Sequence, residues 1–196
     1  MLKIGITGGI GSGKTTICRV FETLGIPVFY ADNIAKELMI SDQILIDGVK
    51  AKFGAASYTE IGSLNNKHIA KIVFGNKLEL EKLNALVHPA VFRAFDKWLE
   101  TIPKSVPYVL KEAALLFESG SYQMSDETIL VTAPLDTKLH RVMQRDGVTK
   151  EQVLARMDKQ LTDEQKIRMA DHFIENKENT SIILQVMALH QQFLFH

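Results

Sequence analysis

A run near the start of the chain, Gly8-Gly9-Ile10-Gly11-Ser12-Gly13-Lys14-Thr15, joins backbone freedom, a cation and a hydroxyl in an order that suits one chemistry. Gly8, Gly13, Lys14 and Thr15 satisfy the phosphate-loop pattern G-x-x-x-x-G-K-[ST]. The glycines let successive backbone N–H groups turn inward around β- and γ-phosphate oxygens, and the helix that follows adds the positive end of its dipole. Lys14 is then expected to reach the β/γ oxygens and the Thr15 hydroxyl to ligate Mg²⁺, with Gly9, Ile10, Gly11, Ser12, Gly13 and Thr16 completing the nucleotide contacts. A plain turn with an exposed lysine needs neither four glycines in the six residues from Gly8 to Gly13 nor Lys-Thr directly after them. No G-x-G-x-x-G dinucleotide loop can be read here, because Lys14 stands three residues after Gly11.

Such a loop works only between a strand and a helix. Lys3 to Thr7 reads as the strand and Thr16 to Leu24 as the helix. A second strand, Pro27 to Tyr30, leads into Ala31-Asp32-Asn33 and a helical pattern, so Asp32 is expected at the carboxyl edge of the sheet, where the loop also lies. There it reads either as a helix N-cap or as the group that orients and deprotonates an acceptor hydroxyl, and one residue can do both. The strand Val106 to Glu112 ends in a carboxylate suited to the metal side of a nucleotide site, directly or through water.

Further strands are expected near 127–132 and 171–175, which completes five with helices between them. That alternation predicts a three-layer α/β/α fold of the P-loop NTPase class, with a parallel five-stranded sheet covered on both faces. The gap between the second and third strands holds two helical stretches, Leu64 to Phe74 and Leu78 to Thr101, that no simple crossover needs. Pro89 should start a new turn or kink the second of them. Segments 1–40, 104–135 and 170–196 are therefore read as one core, with an insertion over 41–103 and a helical lid over 136–169.

The lid is rich in Lys138, Arg141, Arg145, Lys150, Arg156 and Lys159. Thr149 with Gln152, and Thr162 with Gln165, read as capping boxes that start two short helices. Its arginines look too scattered along the chain to need one another, which suits a segment that closes over a phosphate and excludes water. Arg141 and Arg145 share a helix face at i, i+4 spacing and are the candidates for stabilising charge during transfer; the bland reading is a solvated, salt-bridged face.

Composition excludes several other functions. The 196 residues carry no net charge, so no global basic field signals nucleic acid, and nothing signals an obligatory protein partner. The single Cys18 can form no internal disulfide, no run approaches membrane-spanning length, and Met1-Leu2-Lys3-Ile4-Gly5 does not open like a secretion signal; a cytoplasmic location is expected. A GTPase switch needs D-x-x-G, yet no Asp here has Gly three residues later, and Asn176-Lys177-Glu178-Asn179 ends in an amide where a guanine reader needs a carboxylate.

Beyond the loop, Ala31-Asp32, Leu83-Asn84 with His88-Pro89, Leu115-Leu116-Phe117-Glu118, Arg145-Asp146, Arg156 with Gln160, and Ile174-Glu175-Asn176 occur in an order that resembles the dephospho-CoA kinase family. The resemblance implies an ATP- and Mg²⁺-dependent kinase that phosphorylates the 3′-hydroxyl of dephospho-CoA. It implies Asp32 as base, acceptor binding through the insertion with His88 and Glu118, and Asn176 near the adenine. For each of His88, Glu118 and Asn176 a purely structural reading stands beside this one. Tyr30 replaces the first acid of the family's Asp-Ala-Asp, and Glu112 and Ala114 replace an Asp and a Pro. A related kinase for a nucleotide or sugar-like hydroxyl is the alternative; a nucleotide-dependent switch is disfavoured by the missing D-x-x-G.

Overall fold

The computed structural model describes residues 1–195 and divides into two compact units, one of Met1–Tyr30 with the chain from Ile102 onward, the other of Ala31–Thr101. Five parallel strands form the sheet of the first unit: β1 (Leu2–Gly8), β2 (Val28–Tyr30), β3 (Tyr108–Glu112), β4 (Glu127–Thr132) and β5 (His172–Glu175), in the order β2-β3-β1-β4-β5. Chain connections diverge to opposite sides of β1, so its carboxyl end lies where an open parallel sheet offers a crevice.

Helix α1 (Lys14–Thr23) shows how this arrangement follows from the residues. Ile17, Cys18 and Phe21 fall on one stripe and are fully buried with Ile4 and Ile6 of β1, Ile129 and Val131 of β4 and Ile174 of β5. Helix α1 stops at Leu24, where Gly25 (φ 80°) takes the left-handed turn and its N–H donates to the Glu22 carbonyl. Burial of a side chain such as Phe21 contributes about 1.5–3 kcal/mol, which makes this stripe the anchor of everything at the helix start. The Cys18 thiol is pushed well above its ordinary range, first by burial and then by the negative charge of Glu112.

Helices α2 (Ala31–Ser41), α3 (Gln43–Phe53), α4 (Asn66–Val73) and α5 (Lys77–Thr101) make the second unit. Met39, Leu45, Val49, Phe53, Tyr58, Ile69 and Ala90 form its own core. Because Met39 belongs to that core, α2 goes with the helical unit, which begins at Ala31 rather than near residue 41. Asp42 caps α3 by accepting from the Leu45 N–H (2.8 Å), and Asn65 caps α4 through the His68 N–H (3.2 Å). Pro89 does not start a new turn: α5 runs through it as one element. Among the described residues, no helix is long and apolar enough to cross a membrane.

The remaining helices of the first unit are α6 (Leu135–Asp146), α7 (Lys150–Met157), α8 (Asp163–Ile167) and α9 (Ile182–Leu194). Both expected capping boxes are present, at Thr149 with Gln152 and at Thr162 with Gln165. Leu139, Val142 and Val153 join α6 to α7, and Ile10 of the glycine loop packs against them. The apolar residue at Ile10 is thus a peg between loop and lid segment. Helix α9 adds Val186 and Phe193 to the main core, and His190 Nδ1 lies 2.6 Å from the Tyr108 hydroxyl.

Candidate active site

The glycine loop sits at the carboxyl end of β1 and is held by close packing. Gly11 (φ 81°) and Gly13 (φ 95°) are left-handed, which side chains disfavour. Space alone would also exclude a larger residue. A Cβ on Gly8 would stand 2.3 Å from the Val131 carbonyl oxygen, and one on Gly13 would stand 2.2 Å from Asn176 Nδ2. Gly13 precedes α1 without any side-chain cap, and the first N–H groups of a helix have no partner within it. Those donors converge with the helix dipole on the loop, which is the electrostatic basis of an anion site.

Lys14 is buried rather than exposed, and its ammonium donates to the carbonyl oxygens of Gly8 (2.9 Å) and Gly9 (3.5 Å). The cation is thereby poised over the loop. Arg141 approaches from α6. Its Nη1 makes long contacts of 3.4 Å to the carbonyl oxygens of Gly11 and Ser12, and its Nη2 donates to Asn176 Oδ1 (3.2 Å). The Asn176 amide donates in turn to the Ser12 carbonyl (2.8 Å), while the Asn176 backbone N–H is fixed on the Thr132 carbonyl (2.8 Å). Loop, α6 and the end of β5 therefore meet through Arg141 and Asn176.

Arg145 does not join them. It donates to both oxygens of Asp146 (2.7 and 3.2 Å), and Arg156 takes the same carboxylate at 2.7 Å. The arginines that look scattered in sequence are thus paired through Asp146, because the turn at Gly147 (φ 65°) brings α7 back beside the end of α6. Arg145, followed by Arg156, holds the Asp146 carboxyl at about 2. A carboxyl depressed on folding stabilises above its unfolded value near 3.8 and loses that contribution as pH falls through about 2. Asp146→Asn should accordingly lower the melting temperature at pH 6, with the difference from wild type shrinking between pH 4 and pH 2.5 in parallel thermal melts. A constant difference across that range would remove the charge from the explanation.

Gln160, whose role the sequence leaves open, and Lys166, which the sequence does not single out, complete the tie between loop and lid segment. Gln160 accepts from the Ile10 N–H (2.9 Å) and donates to the Ala114 carbonyl (3.2 Å), so one amide bridges the loop to the chain after β3. Lys166 is fully buried, 3.0 Å from Glu118 Oε1, which also accepts from the Leu161 N–H (2.8 Å). Glu118 is therefore engaged by the lid segment. The Thr162–Gln165 capping box could have located Lys166, which lies one residue beyond it; Gln160 is marked only by its place beside Arg156 in the family resemblance, which says nothing of its bridging role.

Glu112 ends β3, nearly buried, in register with Ile6 and Tyr30. The Thr15 and Thr16 side chains are exposed on the first turn of α1. No group of three or more His, Cys, Asp or Glu among the described residues could hold a metal by itself. The available donors are hard oxygens, the Thr15 hydroxyl and the Glu112 carboxylate, which fit Mg²⁺ shared with phosphate oxygens and water rather than a caged ion.

In the helical unit, Asp32 is exposed in the first turn of α2, one residue inside the helix start and so not its N-cap. A carboxylate there still favours the helix dipole. His88 is half-buried on α5 and stacks on Phe92, ring centroids 6.3 Å apart. One face of the unit carries a cleft of about 650 Å³ lined mainly by Met39, Ile40, Leu64, Leu83 and Val87, with Asn84 among its polar groups.

With this geometry in place, the family model for dephospho-CoA kinase matches residues 2–181. The chain belongs to the dephospho-CoA kinase family. A dephospho-CoA kinase of Salinibacter ruber is 44% identical over 177 residues, covering 90% of this chain and 89% of the relative. A crystal structure from Thermus thermophilus is 33% identical with a TM-score of 0.86, covering 98% and 97% of the two chains. The dephospho-CoA kinase of Campylobacter jejuni is 25% identical with a TM-score of 0.71 over the same shares. The family thus extends over the sheet, the glycine loop, the helical unit and the lid segment alike.

Proposed function

We propose that this chain transfers the γ-phosphate of ATP to the 3′-hydroxyl of dephospho-CoA, giving coenzyme A and ADP. The observation that carries the reading is a phosphate loop built with both Lys14 and Arg141 upon it, in a chain of this family. Loop amides and the α1 start hold the β- and γ-phosphates, and Lys14 exchanges its carbonyl contacts for phosphate oxygens. Arg141 supplies charge to the transferring group, and Asn176 keeps its guanidinium aimed while lying near the adenine.

Thr15 and Glu112, the latter directly or through water, are the residues that would hold Mg²⁺. When bound, the ion neutralises β- and γ-phosphate charge. Asp32 orients the acceptor hydroxyl and takes its proton, with His88 as a further acceptor contact. Glu118 serves the acceptor indirectly, by fixing Leu161 and Lys166 at the edge of the lid, and Arg145 keeps the lid's turn intact through Asp146. Closure of the 136–169 segment over ATP excludes water that would otherwise hydrolyse it. The helical unit serves as the acceptor region. Its apolar cleft lies within the size range of small-molecule sites and suits the long, partly apolar arm of dephospho-CoA.

A coupled assay for ADP release tests the acceptor. Dephospho-CoA should give kcat/KM at least about 10²-fold above nucleoside monophosphates and gluconate, the discrimination that pocket size and shape alone supply. Equal turnover of a nucleoside monophosphate would overturn the acceptor assignment and leave the phosphate loop untouched.

A further inference from the structure

Lys138 and Asp163 meet at the glycine loop and have no part in the mechanism above. Lys138, in the first turn of α6, is 8% exposed and donates to Asp163 Oδ2 at 2.6 Å. The pair lies against Gly9: a Cβ there would stand 3.4 Å from Asp163 Oδ1 and 3.5 Å from Lys138 Nζ. The Lys138 carbonyl is closer still to Gly11, 2.6 Å from where its Cβ would be. Lys14 places its ammonium on the carbonyls of the neighbouring Gly8 and Gly9. Two ammonium groups and one carboxylate thus share one end of the phosphate loop.

The bland role for this ion pair is to tie α8 to α6. The chain around α8 is already fastened, through Lys166 and the Leu161 N–H on Glu118 and through Gln160 on Ile10 and Ala114. A tie also has no reason to sit against Gly9. Beside a site for a polyphosphate, a carboxylate is a like charge that opposes the ligand, and the opposition grows as water is excluded. On a lysine, though, a carboxylate and a phosphate oxygen make the same kind of charge-assisted contact, and one can replace the other.

We propose that Lys138 is a second phosphate-binding lysine whose counterion, Asp163, gives way to a phosphate oxygen of the nucleotide. Asp163 balances the charge at the loop when no nucleotide is bound, and ATP must displace it. The inference rests on the phosphate-loop reading above and adds a ligand residue and a competing carboxylate to it.

The test is titration calorimetry of the full chain with ATP and with adenosine, which has no phosphates, for wild type, Lys138→Met, Asp163→Asn and the double variant, with a thermal melt of each. Lys138→Met should weaken ATP about 10- to 100-fold, the worth of one charged hydrogen bond, and leave adenosine unchanged. Asp163→Asn should tighten ATP several-fold, and that gain should vanish in the double variant. If ATP affinity stays within twofold of wild type in both single variants while both melt lower, the pair is only a tie and the proposal falls. It falls equally if Asp163→Asn weakens ATP. Wild-type protein that binds no ATP would overturn the phosphate-loop reading together with this one, whereas normal ATP binding by Lys138→Met overturns the Lys138 assignment alone.

Discussion

Replacing Lys14 with alanine is expected to lower phosphate transfer by about 10³-fold or more, the scale on which a cationic side chain stabilises the charge of a transferring phosphoryl group. The ammonium already lies over the loop, on the Gly8 and Gly9 carbonyls, so its contribution needs no large rearrangement when nucleotide arrives. Because the side chain is buried and hydrogen-bonded, the nucleotide-free variant should also lose stability, by about 1–3 kcal/mol. A lysine at the first position of a helix is ordinarily exposed, and its removal would then cost little stability. The two effects separate in one pair of measurements, turnover at saturating substrates and a thermal melt without nucleotide. A folded Lys14→Ala protein with near-normal turnover would remove the phosphate loop from the mechanism.

For Asp32→Asn the expected result is a fall in turnover within about 10²–10⁴-fold, the range of general-base catalysis. The lower end applies if Asp32 mainly orients the hydroxyl, since loose phosphoryl-transfer transition states ask little of a base before the bond forms. Its place inside the first turn of α2 changes the stability argument. No cap is at stake, and loss of the carboxylate's charge at the positive end of the helix should by itself cost the Asn variant about 0.3–1 kcal/mol. ATP affinity should hold. Wild-type turnover in a folded Asn variant would leave Asp32 with a structural role only.

The phosphate loop was legible because its chemistry is local: glycines, Lys and Thr at fixed spacing need only a strand before them and a helix after. The five strands were legible for a related reason, since each is a short apolar run bounded by turn residues. Arg141 and Asn176 each carry a signal of their own, but their meeting could not be read, because the contact joins residues that only the sheet order brings together. The pairing of Arg145 with Arg156 was hidden in the same way, by a turn at Gly147 that folds two short helices back on each other. Helix α3 had a signal, Asp42 ahead of Leu45, Val49 and Phe53, that the neighbouring longer periodic stretches outweighed. Gln160 is marked by the family resemblance alone, and its role was hidden, since a bridging amide depends on what two distant backbones leave unpaired.

The position of Cys18 has a chemical consequence for an enzyme whose proposed acceptor ends in a free thiol. Thiol–disulfide exchange needs a reachable thiolate on one side, and Cys18 has neither exposure nor an accessible charged form. It is the single cysteine of the chain. A substrate carrying a thiol, or its oxidised dimer, therefore meets no sulfur on the folded protein with which to form a mixed disulfide, and the protein can turn over such a molecule without becoming covalently trapped by it.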